Sequence, residues 1–391
     1  MSETITNNII NNLTVGGAGA GTHTIRGIFN TTTASGTRTV SGNTINDLKT
    51  LAASASGTIT GITTSTGGTN SYFKNKIYNL NAGGSASTIT GILVTAGTTN
   101  NVYNNIIGAL TSTGATGTNA ILGISLTGGT TDNVSFNTVY LTGSTTGGAS
   151  GINFSSTPTS VVLRDNISYN TIAPGGTALS VALRSGSTTA APGAAPTNLG
   201  SASNNNLYYA TNVGSNKLYC DAATTINSYT TMAAYKAIAG MSPREQASVT
   251  ENITASLANT ATPASANYLH FTAGASTLAE SGGTPVSGIT TDYDADVRSL
   301  SAPDIGVIET VVIANWVAVP TNSSAPISGA VAPPFTEPTG PGRKSLSISV
   351  VIPLIAIPCD SRLDGVTPEL ICRFTFAALP VTLLLNNGSS P

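Results

Sequence analysis

The chain has 391 residues, with 15 basic and 17 acidic side chains and a formal net charge of −2; charged residues make up 8% of it and hydrophobic ones 40%. Such sparse, balanced charge leaves no basic footprint for nucleic acid. A regularly patterned 40% apolar content excludes wholesale disorder, and no run of 18 or more apolar residues marks a membrane span.

Residues 1–9 lack the basic start and apolar run of a signal peptide and open inside a repeat, because Asn8-Ile9 through Leu13 matches a unit found throughout the first 170 residues. A fragment boundary is therefore expected at the N-terminus. The unit is clearest over 58–110, where T-I-T-G-I is followed by Asn75-Lys76-Ile77-Tyr78-Asn79-Leu80, and then the whole recurs as T-I-T-G-I with Asn105-Ile106-Ile107-Gly108-Ala109-Leu110. Gly-Ile pairs begin at Gly27, Gly61, Gly91, Gly123 and Gly151; the Asn markers, each opening an apolar segment, sit at Asn8, Asn43, Asn75, Asn105, Asn137 and Asn166. Gly, Thr, Ser and Asn clusters between them are turn signals. The apolar segments are short, β-branched and alternate at period two, which predicts strands.

A fixed period near 30 residues with short strands predicts a solenoid. The expected fold is all-β: a right-handed parallel β-helix of five to six coils over residues 1–309, stacked at about 4.8 Å per coil. Ile62, Ile92 and Ile124 are expected to form one buried stack. Asn43, Asn75, Asn105, Asn137 and Asn166 are expected to form an amide ladder at an inward bend, since stacked amides satisfy one another where water cannot reach.

Residues 185–203 break the pattern and predict a long loop leaving the coil. Asn204-Asn205-Asn206-Leu207-Tyr208-Tyr209 resumes a strand, 230–239 predicts one lateral helix through Met232, Tyr235 and Ile238, and Tyr268-Leu269-His270-Phe271 predicts another coil strand. After Glu309 a Pro-rich linker spans 310–344, and 345–391 is expected to be a truncated, β-rich, sandwich-like tail. Of the three cysteines, Cys359 and Cys372 suit a disulfide as well as two free thiols; no CxxC suggests zinc.

Residues 284–309 concentrate carboxylates in a chain that has few. Asp292, Asp294 and Asp296 alternate, a spacing that suits a hard cation such as calcium. They do not form an EF-hand loop, because Val297 stands at its Gly position and Pro303 at its bidentate Glu position. The competing expectation is that these carboxylates pair with Arg298 and cap turns. No cofactor other than this possible calcium is expected. Elsewhere His23, Arg26, Arg38, Asp47, Lys49, Lys74, Lys76, Asp132, Arg164, Asp165 and Arg184 are scattered. Lys74 and Lys76, with Asp47 and Lys49 one coil earlier, read as a solvated face, and His23 and His270 show no acid partner in sequence. A Thr58-x-Thr60, Thr88-x-Thr90 array of the ice-binding kind is broken by Ala120-Ile121-Leu122.

The order Asn-Asn-Leu-Tyr-Tyr, helix, Tyr-Leu-His-Phe, Thr-Asp-x-Asp-x-x-x-Arg, then Pro-Asp-Ile-Gly-x-x-Glu resembles the end of secreted bacterial parallel β-helix proteins of the pectate-lyase-like fold. The resemblance implies that Asp292, Asp294, Arg298, Asp304 and Glu309 belong to a segment closing the solenoid, with Ala295 where those proteins carry Gly. Residues 378–384 resemble the segment that precedes the C-terminal sorting domain of proteins exported by the type IX system. Together these imply an extracellular or cell-surface protein and a monomer. It would be non-catalytic, adhesin-like or glycan-binding, with extracellular polysaccharide or a surface glycan as partner; the alternative is a polysaccharide lyase or glycoside hydrolase. The two differ in whether at least three acids or bases converge on one face, as Asp47, Lys74 and Asp132 would have to.

Overall fold

Each repeat supplies three short apolar strands, and its Gly/Thr/Asn runs let the chain turn between them. In the computed structural model these strands stack into three parallel sheets, a β-solenoid of about six turns. Residues 2–16, 21–31, 35–51, 56–65, 67–186, 193–211, 215–221, 227–272 and 274–309 are described, with the backbone alone of 370–376 and 379–385. The chain divides into two units, Met1–Trp316 and Val317–Pro391.

One coil runs from Thr69–Phe73 in the first sheet to Lys76–Ala82 in the second and Thr88–Val94 in the third; the next coil begins at Thr99–Tyr103. Ile28, Ile62, Ile92, Ile124, Ile152, Leu183 and Tyr219 lie in one register column. Those from Ile62 to Tyr219 are at most 1% exposed. The Gly-Ile glycines form a column beside it. A Cβ on Gly61 would stand 2.6 Å from the Gly91 carbonyl oxygen and 2.8 Å from Ile77 Cγ2. Glycine recurs there because the third sheet approaches the second too closely for a side chain.

The turn from the first to the second sheet is the most regular feature. Its first residue is left-handed in every coil: Asn7, Gly42, Lys74, Asn104, Phe136, Asp165 and Asn205 have φ between 52° and 65°. The residue after it is always Asn, at 8, 43, 75, 105, 137, 166 and 206. From Asn43 to Asn206 these amides are fully buried, and the N–H and Nδ2 of each Asn before the last donate to the Oδ1 of the next at 2.9–3.1 Å. Their Nδ2 atoms also donate to strand carbonyls, as Asn105 does to Tyr72 and Tyr103.

Residues 245–309 form an outer layer on the second sheet. A second apolar cluster joins the outward side chains Ile106, Tyr140, Ile167, Tyr169 and Leu207 to Ile253, Leu257, Tyr268, Leu269, Ile305 and Val307 of this wrap. Tyr140, Tyr169 and Tyr209 stack with ring centres 4.7 and 4.8 Å apart, the strand spacing itself.

Three local expectations change. The lateral helix is shorter, Met232–Lys236, capped by the Thr231 side chain and tied to the coil by Tyr235 against Tyr208 and Tyr219. The chain after 192 does not stay outside: Leu199 enters the core and bridges Val161, adding a seventh row to the first sheet beyond Ser160–Arg164, because apolar Ala195 and Leu199 bury there. Tyr268–Phe271 is not a coil strand. Leu269 is left-handed at φ 60°, which breaks the extended run, and the segment lies on the outer layer with one antiparallel bridge, Leu257 to Phe271. In the second unit, Leu370–Phe376 and Leu379–Leu385 form an antiparallel hairpin. The linker 310–344, the expected strands at 345–357 and Cys359 lie outside the described residues. Cys220 is free and buried.

Candidate functional site

The wrap is held by the same left-handed corner residues that turn the coils. Their side chains project from four successive corners and each meets it. Asn205 Nδ2 donates to the Gly282 carbonyl at 2.9 Å, and Asp165 Oδ1 accepts from Thr284 N at 2.9 Å. The Arg298 guanidinium stacks 3.9 Å above the Phe136 ring. Asn104 accepts from Arg298 Nη2 and donates to the Thr291 carbonyl. Beneath Arg298 a small cavity of about 180 Å³, lined by Phe136, Pro285, Val286 and Leu300 among others, is a packing gap of this joint.

The carboxylates of 292–309 are absorbed by this clasp. Asp292 accepts Asp296 N on Oδ1 and Glu309 N on Oδ2. Glu309 accepts Ser299 N and Asp304 N and lies 3.4 Å from Arg298 Nη1. Asp304 accepts Ser281 N. Burial pushes the Arg298 guanidinium pKa down, against the opposing pull of Glu309 and Asp292, and pushes Asp292 and Glu309 up. Ala295, between Asp294 and Asp296, takes φ 75°, a conformation that suits glycine.

Calcium does not fit Asp292, Asp294 and Asp296. Both Asp292 oxygens are occupied by backbone N–H groups, while Asp294 turns to His270, with Oδ2 3.5 Å from Nδ1. Among the described residues no three His, Cys, Asp or Glu side chains converge. The same contact corrects the reading of His270, which does have an acid partner; burial lowers its pKa while Asp294 and Asp292 raise it, and its Nε2 is buried without a hydrogen-bond partner.

Lys76 is also not on a solvated face. It is 6% exposed, donates to the Ser265 carbonyl and lies over the rings of Tyr78 and Tyr268 at 5.4 and 5.6 Å; burial lowers its pKa. Arg38 pairs with Glu3 at 3.0 Å, Arg164 reaches Thr284 and the Pro285 carbonyl, and Arg184 donates to Ser150 and the Leu179 carbonyl. Asp132 points into the coil from the first sheet, at the end of a second polar column in which Asn70 donates to Asn100 at 2.8 Å and Asn100 to Asp132 at 2.6 Å. It cannot meet Asp47, which faces solvent from the second sheet.

The wrap covers only the first half of each second-sheet strand. Beyond it, four coils share a left-handed kink at Asn12, Asp47, Asn79 and Ala109, with φ between 51° and 56°. The kink turns the following residues outward and opens a groove of about 470 Å³ along the solenoid axis. Stacked rungs line it: Asn12, Asp47, Asn79 and Ala109 in one row, Thr14, Lys49, Asn81 and Thr111 in the next. Asn79 Nδ2 donates to Asp47 Oδ1 at 3.2 Å. All of these side chains except Ala109 are exposed. The groove therefore offers hydroxyls, amides, one carboxylate and one ammonium group, and its lining holds no aromatic ring, His or Cys. Two signals in the sequence pointed to it: the residue before each Leu48, Leu80 and Leu110, and the polar residue after each.

No protein-family model, curated protein or solved structure matches this chain.

Proposed function

We propose that this is a non-catalytic, glycan-binding β-helix protein of the bacterial exterior, holding a polysaccharide strand along the groove of the second sheet. The observation that carries this reading is the groove's construction. Amide and hydroxyl rungs repeat at the strand spacing of about 4.8 Å, so a chain of repeating sugars meets a repeating set of donors and acceptors. Among the described residues most charges are spent elsewhere, on the clasp and in the coil interior, leaving the groove's chemistry largely neutral. The resemblance of 204–309 to end segments of secreted β-helix proteins, and of 378–384 to the approach to a type IX sorting domain, supports an extracellular or surface address.

The second reading, a polysaccharide lyase or glycoside hydrolase, rests on Asp47 and Lys49 standing two residues apart in the same groove. General acid–base cleavage of a glycoside asks for two positioned groups.

Affinity electrophoresis of the full chain against plant, algal and microbial polysaccharides tests both. Retardation without new chain ends, reduced at least about tenfold by combined Asn79→Ala and Asn81→Ala, is the expected outcome. New reducing or unsaturated ends, lost in Asp47→Asn, establish the enzymatic reading instead. Retardation unchanged in the double variant overturns the groove as the site.

A further inference from the structure

Position 109 departs from the rule of its row. The kink before Leu13, Leu48 and Leu80 is filled by Asn12, Asp47 and Asn79, at φ 56°, 53° and 54°. Asn and Asp are the non-glycine side chains that take this left-handed conformation most readily, because their short polar groups bond locally. Before Leu110 the same conformation, φ 51°, is held by an alanine. Ala109 is the strained choice at that backbone, and a strained residue observed in a groove points to what its side chain does there.

The row of kinks also stops at this residue. The second-sheet strand of its coil is broken at Ala109, into Ile106–Gly108 and Leu110–Thr111. In the next coil it runs unbroken as Thr138–Leu141, and Tyr140, the register partner of Gly108, is followed directly by buried Leu141. The kink residue is missing, and between Phe136 and Asp165 only Gly143 is left-handed. Ala109 is thus the last rung of the row.

Its neighbours in the lining are mixed. Leu80, buried in the core, reaches the groove; Asn79 lies in the same row; Asn81 and Thr111 are register partners in the next. Asn79 gives its Nδ2 to Asp47 Oδ1 at 3.2 Å, which leaves Asn79 Oδ1 to accept. The end of the groove therefore sets a small apolar notch beside two carboxamides and a hydroxyl. Charge does not select the ligand. Asp47 and Lys49 stand two residues apart on one strand, so an acidic or a basic sugar meets attraction and repulsion together.

We propose that the sugar held at this end of the groove carries an acetamido group; the inference rests on the groove being the glycan site. An acetamido group is neutral and brings one N–H donor, one carbonyl acceptor and one methyl. The methyl lies on Ala109 and Leu80, the N–H donates to Asn79 Oδ1, and the carbonyl accepts from Asn81 Nδ2 or the Thr111 hydroxyl. A sugar with a hydroxyl at that carbon leaves the apolar notch unfilled. One with an ammonium group brings a hydrated charge against methyl groups. An asparagine at position 109 would fill the notch with its own amide.

Isothermal titration of the full chain with three hexasaccharides tests this: the β-1,4 hexamer of N-acetylglucosamine, the same hexamer fully de-N-acetylated, and the β-1,4 hexamer of glucose. They differ only in the group at C2. The acetylated hexamer is expected to bind at least about tenfold more tightly than either of the others. Ala109→Asn is expected to abolish that preference while the thermal midpoint stays level or rises, since asparagine suits the left-handed backbone. Equal affinity for all three, a preference that survives Ala109→Asn, or no binding of the acetylated hexamer overturns the proposal. Equal affinities that are all lost on combined Asn79→Ala and Asn81→Ala overturn it while leaving the groove as the glycan site. Polysaccharide retardation unchanged by that double variant removes the groove reading and the proposal with it.

Discussion

The hydroxyl of Tyr268 occupies the space that a side chain at position 108 would need. A Cβ built on Gly108 falls 2.1 Å from Tyr268 Oη and 3.1 Å from the Tyr140 carbonyl oxygen. Gly108 is the register partner of Tyr140 and, continuing the pairing of Ile106 and Ile107 with Lys76 and Ile77, lies beside Tyr78; there the wrap puts its own tyrosine over the gap.

Gly108→Ala is accordingly expected to destabilise the first unit by about 1–3 kcal/mol through overpacking. Tyr268→Phe in the same chain should recover part of the loss, since it removes the clashing atom. Chemical denaturation of the two single variants and the double variant measures the coupling; strictly additive effects would separate Tyr268 from Gly108.

The ladder predicts a graded series. Asn105→Ala removes the acceptor for Asn75 and the donor to the Tyr72 and Tyr103 carbonyls in a fully buried site, and is expected to cost at least about 3 kcal/mol. Asn8→Ala, at the exposed end, is expected to cost less than about 1 kcal/mol. Equal costs, read from urea midpoints, would mean that burial adds nothing to these bonds.

Three buried carboxylates give the fold an unusual pH response. Burial raises Asp132, Asp165 and Glu245 each to about 7, and one oxygen of Asp132 and one of Asp165 has no hydrogen-bond partner. Because the folded state holds these protons more tightly than the unfolded one, their stabilisation is complete below about pH 4 and is lost as pH rises through about 7. The thermal midpoint is expected to be higher at pH 5 than at pH 8. Asp132→Asn continues the Asn70–Asn100 column with a neutral amide and should raise the midpoint by about 2–4 °C at pH 8 while flattening the profile. A midpoint that climbs from pH 5 to pH 8 contradicts the assignment.

Ala295 is the cheapest site for a gain. A non-glycine residue in the left-handed region costs about 1–2 kcal/mol, partly offset by glycine's greater freedom when unfolded. Ala295→Gly is therefore expected to stabilise by about 0.5–1 kcal/mol in denaturant titrations, with the contacts of Asp292 to Asp296 and Glu309 retained.

The sequence by itself determined the solenoid, the register of its coils and the identity of its inward columns. Those contacts join residues about one repeat apart, so they repeat with the period and are visible as recurring Gly-Ile pairs and recurring asparagines. The rung at Asn206 was hidden only by the 40-residue gap from Asn166, although Asn205-Asn206-Leu207 carries the same signature. Only the tertiary structure decided what the wrap does. Arg298 reaches Asn104 across 194 positions, Lys76 reaches Ser265 across 189 and Asn104 reaches Thr291 across 187. Those contacts occur once and leave no period to read. That is why Lys76 looked solvated and His270 unpartnered, and why Asp292, Asp294 and Asp296 suggested a cation site. The groove lies between these cases: its rungs repeat and could be read, but that the wrap stops short and leaves them open is set by where a single, non-repeating segment packs.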